Sequence, residues 1–465
     1  MFVIVTADIH SHSGYSGGVG KIDFFRLTKN LTKKGINIFS SGDILHKKWR
    51  ETLRDSLQEL EAGLFVFKDS EENSGQGNSA GFIDKFQDKI LFDSESKLSG
   101  SETVRQKLDL FEQSSLNRPR IILQTEIVAS VPYIFDAKKR KSAHLILLFP
   151  DFEIVEKVYK IFENKGVKLN IGRPFIRFSS ISECENFFGN LCLQFGDLEV
   201  IPAHIFTPDG IFGGENPIDR FEDFFGDFKD KIRCIESGLS ADPLMIAKVP
   251  FLRNLTVISN SDAHSEGLNR VGREFFALNL DYLDYQNFIN AIRTRKVAFS
   301  VEFRPEHGRY FHTGHSEKRH NNGENIHFIA EDVPEDLICP ICGKKMTAGV
   351  EYRVFQLSGK NKKNEIEKMD NPQKFFYSIP LADIIAASLK IKSDSKKVLN
   401  YYEKIINKIG FESSIFLKSD EQIKALITDI DIPDRLKDDI LRVKNGKFCF
   451  DPQGFDGEYG RLKMI

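Results

Sequence analysis

The sequence predicts an α/β protein, and three observations carry that prediction. Short apolar runs alternate with helical stretches such as "KIDFFRLTKNLTKKG" and "LDYQNFINAIRTRK", which argues for a parallel sheet, open or closed. The alternation fills roughly 300 residues, the size of an α/β barrel with insertions. Nearly every apolar run stops at an acid or a histidine, and barrel enzymes keep their sites at the C-terminal ends of strands.

Taken in order, "FVIV" leads into "ADIHSHSGYS". Side chains two apart on a strand point the same way, so Asp8, His10 and His12 are expected to converge on one side. "NIFSSGD" ends at Asp43, with His46 and Trp49 close behind. Residues 70–118 are rich in Ser, Glu, Lys, Gly and Asn and read as a surface insertion. "RIILQTE" ends at Glu126, "LEVIPAH" at His204, "IRCIE" at Glu236, and "LTVISNSDAH" at Asp262 and His264. "KSAHLILLFP" is the exception, because His144 opens its apolar run. The pattern closes near "VAFSVEFRP", giving a first domain of residues 1–303. A His/Cys-bearing segment spans 304–357. The hydrophilic run "SGKNKKNEIEKMDNPQK" then begins a mainly helical domain, 358–465.

Bulk properties narrow the function. A chain of 465 residues is long enough for several domains. With a net charge of −2, contact with nucleic acid must use local basic runs such as "KKRK" rather than global attraction. Six cysteines are too few for a disulfide framework, although Cys339 and Cys342 form a C-x-x-C. No apolar run approaches the ~18 residues of a membrane span, and no signal-peptide pattern opens the chain; the expected location is cytoplasmic.

Imidazole and carboxylate are the ligands of zinc and manganese. The candidates are His10, His12, Asp43, Glu126, His144, His204, Asp262 and His264, with His46 beside them. A single histidine after a strand is usually a hydrogen-bonded structural residue. Against that stands the set: at least five of the eleven histidines lie at the ends of apolar runs beside acids. So many ligands suggest more than one ion, and clustered ions bridge a phosphate and activate water. Arg270 and Arg273 follow the D-x-H motif. They either hold a phosphate through bidentate hydrogen bonds or pair with acids such as Glu274. Trp49 either stacks on a base or packs a loop.

The strings "ADIHSHSGYS", "GDILHKKW", "TEI", "AHLILLFP", "PAHIFTP", "ESGLSAD" and "SNSDAHS" with "RVGREF" resemble the PHP (polymerase and histidinol phosphatase) superfamily. Within it, their order is similar to the endonuclease Q family, as are "GRYFHTGH", "CPICGK", "GVEYRV", "PLADIIA" and "DGEYG". The resemblance implies a distorted (β/α)7 PHP barrel carrying two or three divalent ions (Zn, Mn or Mg). His10, His12, Glu126 and Asp262 would hold one ion. Glu126 would bridge to a second, held by His144 and His204, and Asp43, His46 and His264 would serve a third. It implies a DNA partner, nicked 5′ of a deaminated base (uracil, hypoxanthine, xanthine) or an abasic site. The catalytic set would be Asp262, His264, Glu126, Arg270 and Arg273, with Asp242 of "GLSAD" orienting a ligand.

The resemblance also makes "CPICGK" a zinc knuckle, with a structural ion on Cys339, Cys342 and His315. Lys318 stands where relatives have a cysteine, and His312 or His320 is left to supply the fourth ligand. Two other readings stand beside the endonuclease: a PHP phosphatase on a small phosphomonoester, and a non-catalytic DNA-binding scaffold. The knuckle and C-terminal region argue against the former, the complete ligand set against the latter.

Overall fold

The computed structural model describes residues 3–68, 118–320, 323–359 and 373–465. The expected surface insertion lies outside the described residues as far as 117, as does most of the hydrophilic run, 360–372. Among the described residues no helix is long and apolar enough to cross a membrane.

The strands in chain order are β1 (Val3–Asp8), β2 (Ile38–Ser40), β3 (Leu57–Glu61), β4 (Leu64–Phe67), β5 (Arg120–Tyr133), β6 (Asp136–Phe149), β7 (Phe175–Arg177) and β8 (Glu199–Pro202). Next come β9 (Cys234–Glu236), β10 (Thr256–Ile258), β11 (Phe275–Leu280), β12 (Val297–Glu302), β13 (Thr313–His315), β14 (Ile326–Phe328), β15 (Phe375–Tyr377), β16 (Phe448–Phe450) and β17 (Leu462–Met464). The main sheet runs β15-β12-β11-β1-β2-β5, then turns through β6 to β8, with β4 and β7 added beside β5 and β3 beyond β4.

The sheet is mixed, which corrects the expectation of a parallel one. β1, β2 and β5 are parallel, but β11 runs antiparallel to β1 and to β12, and β6 antiparallel to β5 and β8. β5 and β6 are joined by Ile134 and Phe135 alone, and so short a loop connects only antiparallel neighbours. β9 and β10 form a separate parallel pair. Ile205 N–H donates to Glu236 O (3.2 Å), bringing β9 beside the chain leaving β8.

Alternation along the strands positions the site. Val5, Ala7 and Ile9, Ile122, Ile146 and Leu148, Ile201 and Ala203, Ile258, Phe276 and Leu278 pack into one core. Ile121, Leu123, Leu145 and Leu147 face the other way, into a larger core shared with the helices Phe24–Lys34, Phe152–Asn164 and Ile181–Gln194. Glu126 continues the face of Ile122 on β5, and His144 that of Ile146 on β6. Glu126 lies opposite Ile146 and Val128 opposite His144, so the two functional groups are diagonal neighbours.

The C-terminal region is helical: Leu381–Leu389, Lys396–Ile409, Asp420–Thr428 and Asp434–Lys444 bury a core of their own, including Leu381, Ile385, Tyr402, Ile405, Ile423 and Leu436. It is tied to the helix Phe24–Lys34 by Lys34, whose ammonium donates to Glu412 Oε1 (2.6 Å). Tyr377 O–H also donates to Asp242 Oδ2 (2.6 Å).

Lys141 on β6 is buried, its Nζ donating to the carbonyls of Gly210 (2.9 Å) and Gly213 (2.6 Å), which pins the loop after His204. Burial, with Arg353 nearby, pushes its pKa from 10.5 down to about 7. Between those values the unfolded chain holds a proton that the folded chain has shed, so folding stability rises with pH across that window. Wild type should therefore gain on Lys141→Met by up to about 1.4 kcal/mol per pH unit as pH is raised through that window. Chemical denaturation at successive pH values measures it; a difference independent of pH would refute the assignment.

Candidate metal centre

Beyond β1 the chain continues extended. Ile9 N–H donates to Asn260 Oδ1 (2.7 Å), and His12 N–H to Ala263 O (2.9 Å). This bridge sets His10 and His12 beside Asp262. Asp262 Oδ1 lies 3.1 Å from His12 Nε2 and 3.8 Å from His10 Nε2. A second group is Glu126, His144 and His204: Glu126 Oε1 is 2.7 Å from His144 Nδ1 and 3.3 Å from His204 Nε2. Within each group the ligand atoms fall inside 4.8 Å of one another. Glu126 joins the two, with Oε1 3.5 Å from His10 Nε2 and Oε2 3.5 Å from His12 Nε2.

These residues fit metal ions. His10 Nε2, His12 Nε2, His144 Nδ1 and Asp262 Oδ1 are buried with no hydrogen bond, although oppositely charged atoms stand close by. Lone pairs that converge on common points instead of on each other are the geometry of a coordination shell. Burial works against charge here, but the opposed charges outweigh it. His144, with His10 and His204 close by, holds the Glu126 carboxyl well below the usual carboxylate range. His10 and His12 do the same for Asp262. In return Asp262 and Asp43 raise His12 to about 10 against the cost of its burial. Cations binding here displace protons.

Three of the four imidazoles, those of His10, His12 and His204, have the far nitrogen fixed. His10 Nδ1 is 2.9 Å from Glu236 Oε1, and Glu236 also accepts from His204 N–H (2.8 Å) and Asn260 Nδ2 (2.8 Å). His12 Nδ1 is 3.2 Å from Asp43 Oδ1, whose other oxygen accepts from Ser13 N–H (2.7 Å), Ser13 O–H (2.6 Å) and Ser16 O–H (2.9 Å). His204 Nδ1 lies 2.7 Å from Thr207 Oγ1. Three non-glycine residues of the centre hold left-handed backbone: Asp43 (φ 42°), His204 (28°) and Asp262 (46°). Such strain persists only where surrounding structure enforces it, and it gathers at functional sites. Opposite His204, a Cβ on Gly238 would stand 2.4 Å from His204 Cβ, so only glycine fits there.

The remaining sequence candidates fall outside the two groups. Asp8 turns to the backbone: it accepts from Ser261 N–H (3.0 Å) and Gly272 N–H (2.8 Å), which corrects its expected convergence with the histidines. Asp43 supports His12 from behind. His46 caps the helix Lys47–Ser56, accepting from Trp49 N–H (3.3 Å), and stacks on Tyr15 (3.8 Å). His264 is half-exposed; its ring lies 4.6 Å from that of His12, and its Nδ1 donates to Asp262 O (2.9 Å). Arg273 is buried and donates Nε–H to Ser261 O (2.7 Å), while Arg270 is exposed. Trp49 packs a loop, its indole N–H donating to Gly42 O (2.8 Å). Asp242 caps the helix Pro243–Ala247, accepting from Met245 N–H (2.7 Å), in addition to binding Tyr377.

Two residues were missed. Glu236 ends an apolar run, the same signal that marked Glu126, yet its service to His10 and His204 shows only in three dimensions. Arg173 lies 3.2 Å from Glu126 Oε2 and follows no apolar run. Glu236→Gln should cost about 10- to 100-fold in metal affinity at the main centre, because a neutral amide holds the His10 ring without raising its basicity. Competition against a chelator measures this, and unchanged affinity would show Glu236 to be packing alone.

A third group is His315, His320, Cys339 and Cys342, again within 4.8 Å. His320 Nε2 lies 3.3 Å from Cys339 Sγ, and His315 Nδ1 3.4 Å from Cys342 Sγ. Of the two histidines left open by the sequence, His320 is therefore the one beside the thiols. His312 is engaged with Glu351 Oε2 (3.1 Å) and stacks on His327. Lys318 is exposed and pairs with Glu458. Burial works against the Cys339 thiolate, but the amides of Cys342 and Ile341 and the His320 ring bring the thiol down to about 6.

No family model matches the chain. Among solved structures, it superposes over 99% of its length on the lesion-specific endonuclease PfuEndoQ from Pyrococcus furiosus, covering 95% of that chain at a TM-score of 0.72 and 22% identity. It likewise superposes over 99% of its length on an endonuclease Q in complex with a 27-mer duplex substrate bearing an abasic lesion at the active site, covering 97% of that chain at a TM-score of 0.73 and 23% identity. The chain has the endonuclease Q fold. In sequence it is 31% identical over 250 residues to an uncharacterized protein of Methanocaldococcus jannaschii, covering 52% of this chain and 30% of that one. It is 27% identical over 267 residues to the uncharacterized protein YqxK of Bacillus subtilis, covering 57% and 60%. The chain thus spans less than two thirds of both curated relatives.

Proposed function

We propose, from the fold shared with endonuclease Q, that this chain is a metal-dependent DNA endonuclease. It hydrolyses the phosphodiester on the 5′ side of a deaminated base (uracil, hypoxanthine or xanthine) or an abasic site. The observation that carries the reading is the doubled ligand group sharing Glu126. In this reading His10, His12 and Asp262 would hold one divalent ion and His144 and His204 another, with the two Glu126 oxygens available to both, and His264, with Asp43 and His46, would serve a third. When bound, such ions (Zn, Mn or Mg) supply Lewis acidity that activates water and offsets charge on the phosphate.

The chain's own residues do the rest. Glu236 and Asp43 fix the rings of His10 and His12, so little reorganisation is needed when charge develops. His264 lies at the rim beside Asp262, placed to pass a proton to solvent. Deamination turns an exocyclic amine into a carbonyl, an edge that a pocket of donors reads once the base leaves the stack. The reading includes a distorted seven-stranded barrel for residues 1–303. It adds a structural zinc in 304–357 that shapes a DNA-binding lobe, and a third domain at 358–465.

The test uses a labelled duplex with one deoxyuridine or deoxyinosine, an undamaged duplex, and p-nitrophenyl phosphate, each with Mn²⁺. A nick confined to the lesion supports the endonuclease. Turnover of the small ester alone replaces it with a phosphatase, and binding without cleavage replaces it with a scaffold.

A further inference from the structure

We infer that Arg173 holds a non-bridging oxygen of the phosphate at the metal centre, a role that rests on the endonuclease reading and assigns its phosphate clamp. Register brings the residue there. β7 pairs in parallel with β5, Phe175 beside Val128, and Val128 N–H donates to Pro174 O (2.8 Å). Two residues back along each chain lie Arg173 and Glu126, and the guanidinium reaches the carboxylate: Arg173 Nη1 is 3.2 Å from Glu126 Oε2. Pro174 keeps the residue before it extended.

The segment is clamped on its other side as well. Gly172 N–H donates to Tyr15 O (2.9 Å), and a Cβ on Gly172 would stand 2.3 Å from Ser16 Oγ and 2.7 Å from Asp43 Oδ2. Only glycine allows so close an approach, and it sets Arg173 against the groups that support His12.

Arg173 is half-exposed, and its bond to Glu126 is its one side-chain hydrogen bond among the described residues. The other guanidinium N–H groups are free to point at a ligand on the solvent side of the two ligand groups. A planar fork of donors beside a cation site suits a tetrahedral anion. The arginines named from sequence are placed differently: Arg273 is buried on Ser261 O, and Arg270 is exposed beyond the motif. The alternative role for Arg173 is to neutralise Glu126 when no ion is bound.

The test separates these roles. Wild type, Arg173→Ala and Arg173→Lys are loaded with Mn²⁺. Metal content is measured by mass spectrometry, inorganic phosphate binding by calorimetry, and nicking on the deoxyuridine duplex. Arg173→Ala is expected to weaken phosphate binding about 10- to 100-fold with metal content unchanged, and Arg173→Lys to recover part of the loss. Phosphate binding equal to wild type, no phosphate binding by wild type, or loss of metal from the alanine variant each overturns the assignment. If wild type nicks no duplex while the phosphate result holds, the endonuclease reading fails and the anion site stands.

Discussion

Glu126→Gln is expected to bring strand nicking to background, a loss on the order of 10⁴-fold or more out of the acceleration an enzyme supplies. The chain should remain folded. Glu126 Oε1 lies within 3.5 Å of nitrogens on His10, His144 and His204, and Oε2 within 3.5 Å of His12. Glutamine keeps the shape but presents one oxygen and one N–H₂, so it cannot place negative charge between two cations. The backbone of β5 is paired on both sides of the position and does not depend on the carboxylate. His10 keeps Glu236 and Asp262 as counter-charges and His12 keeps Asp262 and Asp43, so the substitution leaves neither imidazole without an acid beside it. Metal content and circular dichroism, read beside the nicking assay, decide the matter. Full ion occupancy in the glutamine variant, or nicking within tenfold of wild type, would remove Glu126 from its bridging role.

The residues that meet at this centre were legible because of where their runs end. His10 and His12 are two apart after β1, Glu126 closes "RIILQTE", and Asp262 closes "LTVISNS"; periodicity and residue type together aim them at one cavity. His144 was legible by type alone, since it opens its run, and the antiparallel pairing of β5 with β6 explains why that end faces Glu126. The same pairing was hidden in sequence. A two-residue turn is ordinarily marked by Asn-Gly or Asp-Gly, whereas here Ile134 and Phe135 make it, so no turn signal marks the runs on either side as antiparallel partners. Division of labour was also out of reach. Asp43 and Asp262 are both acids after apolar runs, yet one steadies His12 Nδ1 and the other faces His12 Nε2. Distinguishing them needs ring orientation, which no spacing rule contains. Arg173 depends on register between β5 and β7, a contact 47 residues apart in sequence.

Cys339→Ser is expected to remove one zinc per chain and to open the segment around it to protease, while the main centre keeps its ions. The reason is the smallness of the local core. Between β13 and the helix Val350–Ser358, the segment's own apolar cluster consists of buried Val333, Ala348 and Tyr352 with Phe328, Leu337 and Phe355 packed against them. β13 and β14 pair over three residues each, and Ile338 bridges Lys345 singly. So little apolar burial does not offset the entropy of ordering such a stretch, and small lobes of this kind are held by metal. Two histidines and two thiols within 4.8 Å match in type and number the ligands of a structural zinc site. His320→Ala should act like Cys339→Ser, whereas His312→Ala should leave zinc in place, since His312 bonds Glu351 instead. Acid should mimic the mutation. Protons and zinc compete for the Cys339 sulfur, whose pKa stands at about 6, so binding is favoured above that value and weakens as pH falls through it. Zinc content and limited proteolysis, measured on the full chain, are the readouts. Unchanged zinc in Cys339→Ser, or zinc lost from His312→Ala, would show that the ion is held by a different set of side chains.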